Sequence, residues 1–189
     1  MKLVLASASP RRRDLLARLG VTPYRIAAPD IDETPRRGEQ PRTYVERMAR
    51  EKALAVPRAG DELVLAGDTT VAAGRRILGK AESADEVRAM LALLSGRRHQ
   101  CLTALCLVGP DGRPRLRLSA STIAFKQLSA AEIDAYVDSG EGLGKAGGYA
   151  IQGRAEALIR WMQGSYSGIV GLPLFEARAL LTGAGYRCG

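Results

Sequence analysis

Short apolar runs alternate with amphipathic stretches along this chain, and the first junction between the two carries the most local information. Lys2-Leu3-Val4-Leu5-Ala6 is an apolar run of strand length. Behind it, Leu15, Leu16 and Leu19 recur at helical spacing, and Gly20 marks a stop. Between them Ser9 suits an N-cap and Pro10 the first helical position. The pattern predicts a strand, a tight polar turn, and a helix whose first turn holds Arg11, Arg12 and Arg13.

The same reading continues down the chain. Tyr24–Ala27 reads as a second strand, followed by the acidic loop Pro29–Pro35. Thr43 to Val56 is an amphipathic helix with Lys52 on its last turns. Leu63–Ala66 is an apolar strand expected to end at Gly67-Asp68-Thr69, and Gly74-Arg75 makes a turn before Ile77–Lys80. Ser83-Ala84-Asp85-Glu86 and Ser129-Ala130-Ala131-Glu132 have capping-box spacing and open helices to Leu94 and to about Ser139. Gln100–Val108 and Leu116–Phe125 form a hairpin around Pro110-Asp111-Gly112. A glycine-rich loop runs from Gly140 to Gly148. Ala157–Gly168 reads as a second hairpin turning near Gly164, and Leu172-Pro173 opens a last helix ending around Gly183. Interleaved strands and helices give an α/β class with a mixed sheet. One domain over 1–189 is expected, with two lobes around a cleft where the acidic and basic loops meet.

Composition narrows the partners. With 46% apolar residues the 189-residue chain is globular, and no apolar run reaches the ~18 residues of a membrane span. The N-terminus lacks the apolar stretch of a signal peptide, so a cytoplasmic protein is expected, without membrane association. Cys101, Cys106 and Cys188 show no paired spacing, and along a strand the first two face opposite sides, which disfavours disulfides and zinc. His99 sits in the polar run Gly96-Arg97-Arg98-His99 and is expected at the surface. A net charge of +8, mostly from arginine, suits anionic partners. Aromatics are only 5% and do not interleave with basic stretches, which favours a small phosphorylated ligand over nucleic acid.

Several residues then stand out chemically. Arginines on a first helical turn oppose the helix dipole, an arrangement that a bound polyanion would reverse. With the hydroxyls of Ser7 and Ser9 and the free N–H groups of the turn, they form a candidate phosphate cradle. Asp68 beside an apolar strand is placed to hold a divalent ion or to activate water. Asp30, Asp32 and Glu33 offer further metal-ligand oxygens. Lys52, Lys80 and Lys145 are retained in a chain that otherwise uses arginine, which points to a need for compact charge. Gly142-x-Gly144-x-x-Gly147 follows a helix, not a strand, and Gly144-Lys145 lacks the Ser or Thr of a phosphate-binding loop, so neither is a nucleotide fingerprint.

Taken together, Ser7-x-Ser9-Pro10-Arg11-Arg12, Asp32-Glu33, Glu51-Lys52-Ala53, Gly67-Asp68-Thr69, Gly79-Lys80, Lys145–Gly153, and Gly164-Ser165-Tyr166 with Val170–Leu174 resemble the Maf family of nucleotide pyrophosphatases, in the family's order along nearly the whole chain. Lys145-Ala146-Gly147 followed by Ile151-Gln152-Gly153 is similar to the branch that acts on dTTP and UTP. The resemblance implies a two-lobed fold related to inosine triphosphatase, with the active site in the central cleft. It also implies a hydrolase that uses Mg²⁺ or Mn²⁺ to cut nucleoside triphosphates to monophosphate and pyrophosphate, and it suggests a homodimer. A non-catalytic, nucleotide-binding regulator of septum formation is the alternative that the same resemblance raises.

Carried over by position, Asp68 matches the proton acceptor, and Glu33 with Asp68 the metal carboxylates. Arg11, Thr69 and Gln152 match positions that set substrate choice. Arg12, Lys52 and Lys80 match charged cleft residues, and Ser7, Ser9 and Lys145 complete the expected substrate contacts. One position departs from the pattern: the family's Asp before Lys-Ala-Gly is Gly144 here, with Glu141 and Asp138 the nearby carboxylates.

Overall fold

The computed structural model describes residues 1–189 and begins with the expected unit, strand β1 (Lys2–Ala6) followed by helix α1 (Pro10–Ala17). Pro10 holds the first helical position, but Ser9 makes no side-chain cap bond. Its own N–H is taken by Ser7 Oγ at 3.2 Å. β2 shrinks to Arg25–Ile26, an edge strand parallel to β1, and α2 starts two residues earlier than its periodicity indicates, at Pro41–Ala55.

β3 differs most from the sequence reading. It runs for 12 residues, Glu62–Ala73, so Asp68 lies mid-strand and not at a strand end. The polar Asp68-Thr69-Thr70 stretch stays extended because its neighbour β5 (Arg98–Val108) pairs with it without a break from Val64 to Ala72. β-branched threonines suit that extended backbone.

β4 (Arg76–Leu78) turns back onto the end of β3, and α3 (Ala84–Leu94) follows. Ser83 caps α3 by accepting from Glu86 N–H, whereas Glu86 reaches back to Glu82, so only half of that capping box forms. β6 (Pro114–Phe125) completes the expected hairpin, and Ser129 and Glu132 form both halves of their box at α4 (Ala130–Asp138). Ala157–Gly168 is not a hairpin. A 3-10 turn (Arg154–Leu158) leads to β7 (Ile159–Gln163) on β6. Past Gly164 the Ser165 hydroxyl accepts from Gly168 N–H and starts the short helix α5 (Tyr166–Val170) in place of a return strand. α6 (Leu174–Gly183) closes the chain.

The result is a mixed α/β fold with one seven-stranded sheet, ordered β2-β1-β3-β5-β6-β7, with β4 on the free end of β3. Side-chain alternation along β3 separates two cores. Leu63 and Leu65 join Leu15, Leu16, Leu180 and Leu181 on the face covered by α1 and α6. Val64 and Ala66 pack with Val45, Ala49 and Ala53 of α2 on the other. Further along, Val71, Cys101, Ile123 and Phe125 enter a third core with α3 and α4. Cys101 and Cys106 therefore do fall into different cores, and all three cysteines are free. A cleft opens where the three cores meet.

Candidate active site

β1 pairs with Glu62–Ala66 and β4 with Val71–Ala73, on the edge of β3 opposite β5. Gly67–Thr70 are left without a strand on that edge, and the turn after β1 fills the gap. Alternation sends Asp68 towards α2 and Thr69 towards the opposite face, so one short stretch supplies both sides of the cleft.

On the Thr69 side, Arg12 is held by all three of its nitrogens. Nε donates to the Gly171 carbonyl at 2.9 Å, Nη1 to Ser7 Oγ at 3.1 Å and Nη2 to Thr69 Oγ1 at 3.4 Å. Thr103 donates to the Gly168 carbonyl at 2.7 Å, so the Thr69 hydroxyl donates to Thr103 Oγ1 at 3.0 Å and keeps its lone pairs for Arg12.

On the Asp68 side, Lys52 lies between two carboxylates. Its Nζ donates to Asp68 Oδ1 at 2.7 Å and sits 3.0 Å from Glu33 Oε1, while Thr70 donates to Asp68 Oδ2 at 3.3 Å. Lys80 approaches Glu33 from the other direction at 3.5 Å. Burial acts to raise the Glu33 carboxyl, but the hydrogen bond and charge of Lys52, aided by Lys80, outweigh it and hold it below its ordinary value. The loop bearing Glu33 is fixed from α2. Tyr44 Oη donates to the Glu33 carbonyl at 2.8 Å, and Arg47 reaches the Thr34 carbonyl at 3.2 Å while forking onto Glu39 at 2.7 and 2.8 Å.

Eleven of the residues singled out in the sequence line this one cleft, of about 290 Å³: Ser7, Ser9, Arg11 and Arg12; Glu33, Lys52 and Asp68; Thr69, Lys80, Lys145 and Gln152. Asp30 and Asp32 do not line it, and Asp32 Oδ1 instead accepts from Thr34 N–H at 2.9 Å, shaping the loop. Gly144 lines the cleft, but neither Glu141 nor Asp138 does, and Glu141 is engaged with Arg154 N–H at 2.8 Å. The rest of the lining includes apolar side chains the sequence did not flag, among them Val71, Cys101, Ile151 and Ile169.

The cationic groups are short of counter-charge. Burial lowers Arg12 from its ordinary value and the Arg11 charge adds to this, against the pull of Asp68 and Glu33. Burial alone lowers Arg11, whose buried Nε has no hydrogen-bond partner. Lys145 is lowered by burial and by Arg11. Desolvated positive groups that repel one another favour an anionic ligand.

His99 contradicts its expected surface position. It lies in β5 and is only 2% exposed, with Nε2 2.7 Å from Tyr149 Oη. The polar run Gly96-Arg97-Arg98-His99 hides this, but the alternation His99, Cys101, Thr103 along one face of a strand is a usable signal.

A family model described as "Maf-like protein" matches residues 2–184. The chain belongs to the Maf family. It is 66% identical to a protein of Sphingopyxis alaskensis named dTTP/UTP pyrophosphatase, over 99% of this chain and 98% of that one. A protein of the same name from Rhodospirillum rubrum is 60% identical, over 99% and 90% of the two chains. Among solved structures, the Ham1 protein of Staphylococcus aureus aligns with a TM-score of 0.56 at 13% identity, over 97% of this chain and 100% of that one. A HAM1 protein from Coxiella burnetii aligns with a TM-score of 0.51 at 20% identity, over 97% and 99%. These two likenesses show that the Maf chain shares the Ham1 fold.

Proposed function

We propose that this chain is a nucleoside triphosphate pyrophosphatase that hydrolyses dTTP and UTP to the monophosphate and pyrophosphate. The observation that carries the reading is the pairing, in one cleft, of the half-buried cations Arg11, Arg12 and Lys145, short of counter-charge, with the buried carboxylate of Asp68. Arg11, Arg12, Lys80 and Lys145 suit the oxygens of a triphosphate, and Asp68 suits a water beside it. The names of the relatives at 60–66% identity support the same activity and the same bases.

The chemistry follows from these groups. Phosphoryl-type displacement needs positioning and charge neutralisation more than covalent help. Arg12, pre-held by Ser7, Thr69 and Gly171, keeps its orientation as the triphosphate enters, so little order is lost on binding. Asp68 orients a water and takes its proton as the oxygen attacks the α-phosphorus. The bond from that phosphorus to its bridging oxygen breaks, and pyrophosphate leaves with the electron pair, its charge held by the lysines and arginines. Lys52, between Asp68 and Glu33, orients the Asp68 carboxylate through Oδ1 and holds it beside the cleft.

Glu33 and Asp68 fit a divalent cation. Both are carboxylates facing one position now bridged by an ammonium, and Mg²⁺ is commonly held by one or two carboxylates plus substrate phosphates. When bound, Mg²⁺ or Mn²⁺ would neutralise charge on the phosphate oxygens. The base would lie along the apolar lining, with the exposed Gln152 amide on its polar edge. No helix is long and apolar enough to cross a membrane. A cytoplasmic homodimer remains part of this reading.

The test is product analysis. Purified protein with UTP and Mg²⁺ or Mn²⁺ should yield UMP and pyrophosphate in equal amounts. Release of orthophosphate and UDP, or no turnover with any triphosphate, overturns the reading.

A further inference from the structure

Gln152 sits on a segment with no regular secondary structure, so something else must fix its position. The segment from Gly147 to Gly153 is anchored from behind at three successive points. Gly147, at φ +71°, lies so close to Val71 that a Cβ there would sit 2.7 Å from a valine methyl. Ala150 N–H donates to Tyr136 Oη of α4 at 3.0 Å. Tyr149 Oη is 2.7 Å from His99 Nε2 on β5. His99 itself is immobilised by Phe125, stacked on it at 5.6 Å and 18°, and Phe125 also meets Tyr149 edge-on at 5.0 Å.

The arrangement costs the protein a buried polar atom. His99 Nδ1 is buried without a partner, so Tyr149 is the only polar tether of the ring. Phenylalanine or leucine would fill the same place in this apolar core without that cost. What the histidine adds over either is the tether to Tyr149. Only Ala150 and Ile151 separate Tyr149 from Gln152, about 10 Å of chain at most, so a shift at the tyrosine is carried into the backbone that bears the amide.

We propose that His99 is a positioning residue for base selection: through Tyr149, and together with Tyr136 on Ala150, it sets where the Gln152 amide meets the base. The proposal deepens the function above and rests on it. A base read by one amide tolerates little displacement, and an error near 1 Å weakens such contacts severely.

The experiment measures kcat/KM for UTP and CTP, with melting temperatures, in His99→Phe, Tyr149→Phe, Tyr136→Phe and the His99→Phe/Tyr149→Phe double variant. His99→Phe and Tyr149→Phe should each lower the UTP-to-CTP ratio about tenfold, the worth of one well-placed hydrogen bond, with kcat for UTP changed by less than about threefold. Tyr136→Phe should lower the ratio in the same direction. His99→Gln, which keeps a hydrogen-bonding nitrogen, should recover part of it. The double variant removes both polar partners at once, so its melting temperature should recover while its ratio stays low. A ratio that recovers with the melting temperature, or that stays within about twofold of wild type in both single variants, overturns the proposal. Failure of the underlying function shows instead in the wild type, as turnover fastest on some other base. The ratio is then taken between that base and its nearest competitor, and calorimetric binding constants for the same nucleotides without divalent cation give it independently of turnover.

Discussion

Lys52 Nζ donates to Asp68 Oδ1 at 2.7 Å, and both side chains are about nine-tenths buried. The lysine comes from the last turn of α2 and the aspartate from the middle of β3, so the pair locks helix to sheet where the cleft begins. The contact orients the carboxylate and leaves Oδ2 with the weaker Thr70 bond at 3.3 Å.

Replacing Asp68 by Asn separates the two uses of this residue. Asparagine keeps the volume, and its Oδ1 still accepts from Lys52, so the fold should persist, but the buried ammonium keeps only Glu33 as counter-charge and the melting temperature should drop. It cannot take a proton, so kcat should fall by roughly 10²–10⁴-fold. Steady-state kinetics on the folded variant checks this, and near-normal turnover would remove Asp68 from the catalytic role.

Arg12 ties the turn after β1 to β3 and to the end of α5 at Gly171. Arg12→Ala should therefore lower both thermal stability and triphosphate binding. Loss of one charge-assisted partner corresponds to about a 10–100-fold rise in KM. Arg12→Lys keeps the charge but not the three-way reach, and should recover only part of the loss. KM at wild-type level in the alanine variant would show that Arg12 serves the fold alone.

Burial pushes His99 from its ordinary 6.5 down to about 4. The unfolded chain therefore takes up a proton between those values that the folded chain refuses, and stability should fall as pH drops through that window. Its nearest titratable neighbours, Tyr149 and Cys101, are both pushed upward by burial and stay neutral there. The loss should reach about 2 kcal/mol by about pH 5 and be absent above about pH 7. Glu39, Glu62 and Glu132, each held near 2 by a cationic partner, add their own losses only below their ordinary 4.5. Denaturant melts at several pH values should show the upper part of this slope in the wild type and not in His99→Phe.

The chain shows unevenly how far local pattern specifies structure. Apolar runs mark β1 and β5, which are buried on both faces, helical periodicity marks α2, which buries one face, and a capping box marks α4, while short motifs mark eleven of the residues that line the cleft. β3 was cut short because Asp68-Thr69-Thr70 breaks the apolar run, and only the ladder to β5 keeps it extended. Ala157–Gly168 looked like a hairpin because its second half gains its helix from a serine cap, which leaves no periodic trace. His99 is illegible for a related reason: Gly96, Arg97 and Arg98 before it make the start of a buried strand look like a polar turn. The tie between Arg12 and Gly171 spans 159 residues and has no local signature at all.

Gln152 gives the last prediction, a preference for dTTP and UTP over CTP and purine triphosphates. Its exposed amide lies in the cleft and offers one donor and one acceptor side by side. Uracil and thymine present a carbonyl next to N3–H, which this pair can match. Cytosine has no N3–H, so an amide that the bound state holds in the uracil orientation would meet an acceptor with its own acceptor. The mismatch is costly because polar groups on both sides go unpaired in a partly dry cleft. Thymine differs from uracil only by a small apolar methyl, for which the apolar lining asks only a little room. Side-by-side kcat/KM values for dTTP, UTP, CTP, GTP and 7-methyl-GTP check the order. Gln152→Ala should narrow the UTP-to-CTP gap by at least about tenfold while leaving the triphosphate contacts intact. Equal rates on UTP and CTP in the wild type, or fastest turnover of 7-methyl-GTP, would take base selection away from this amide.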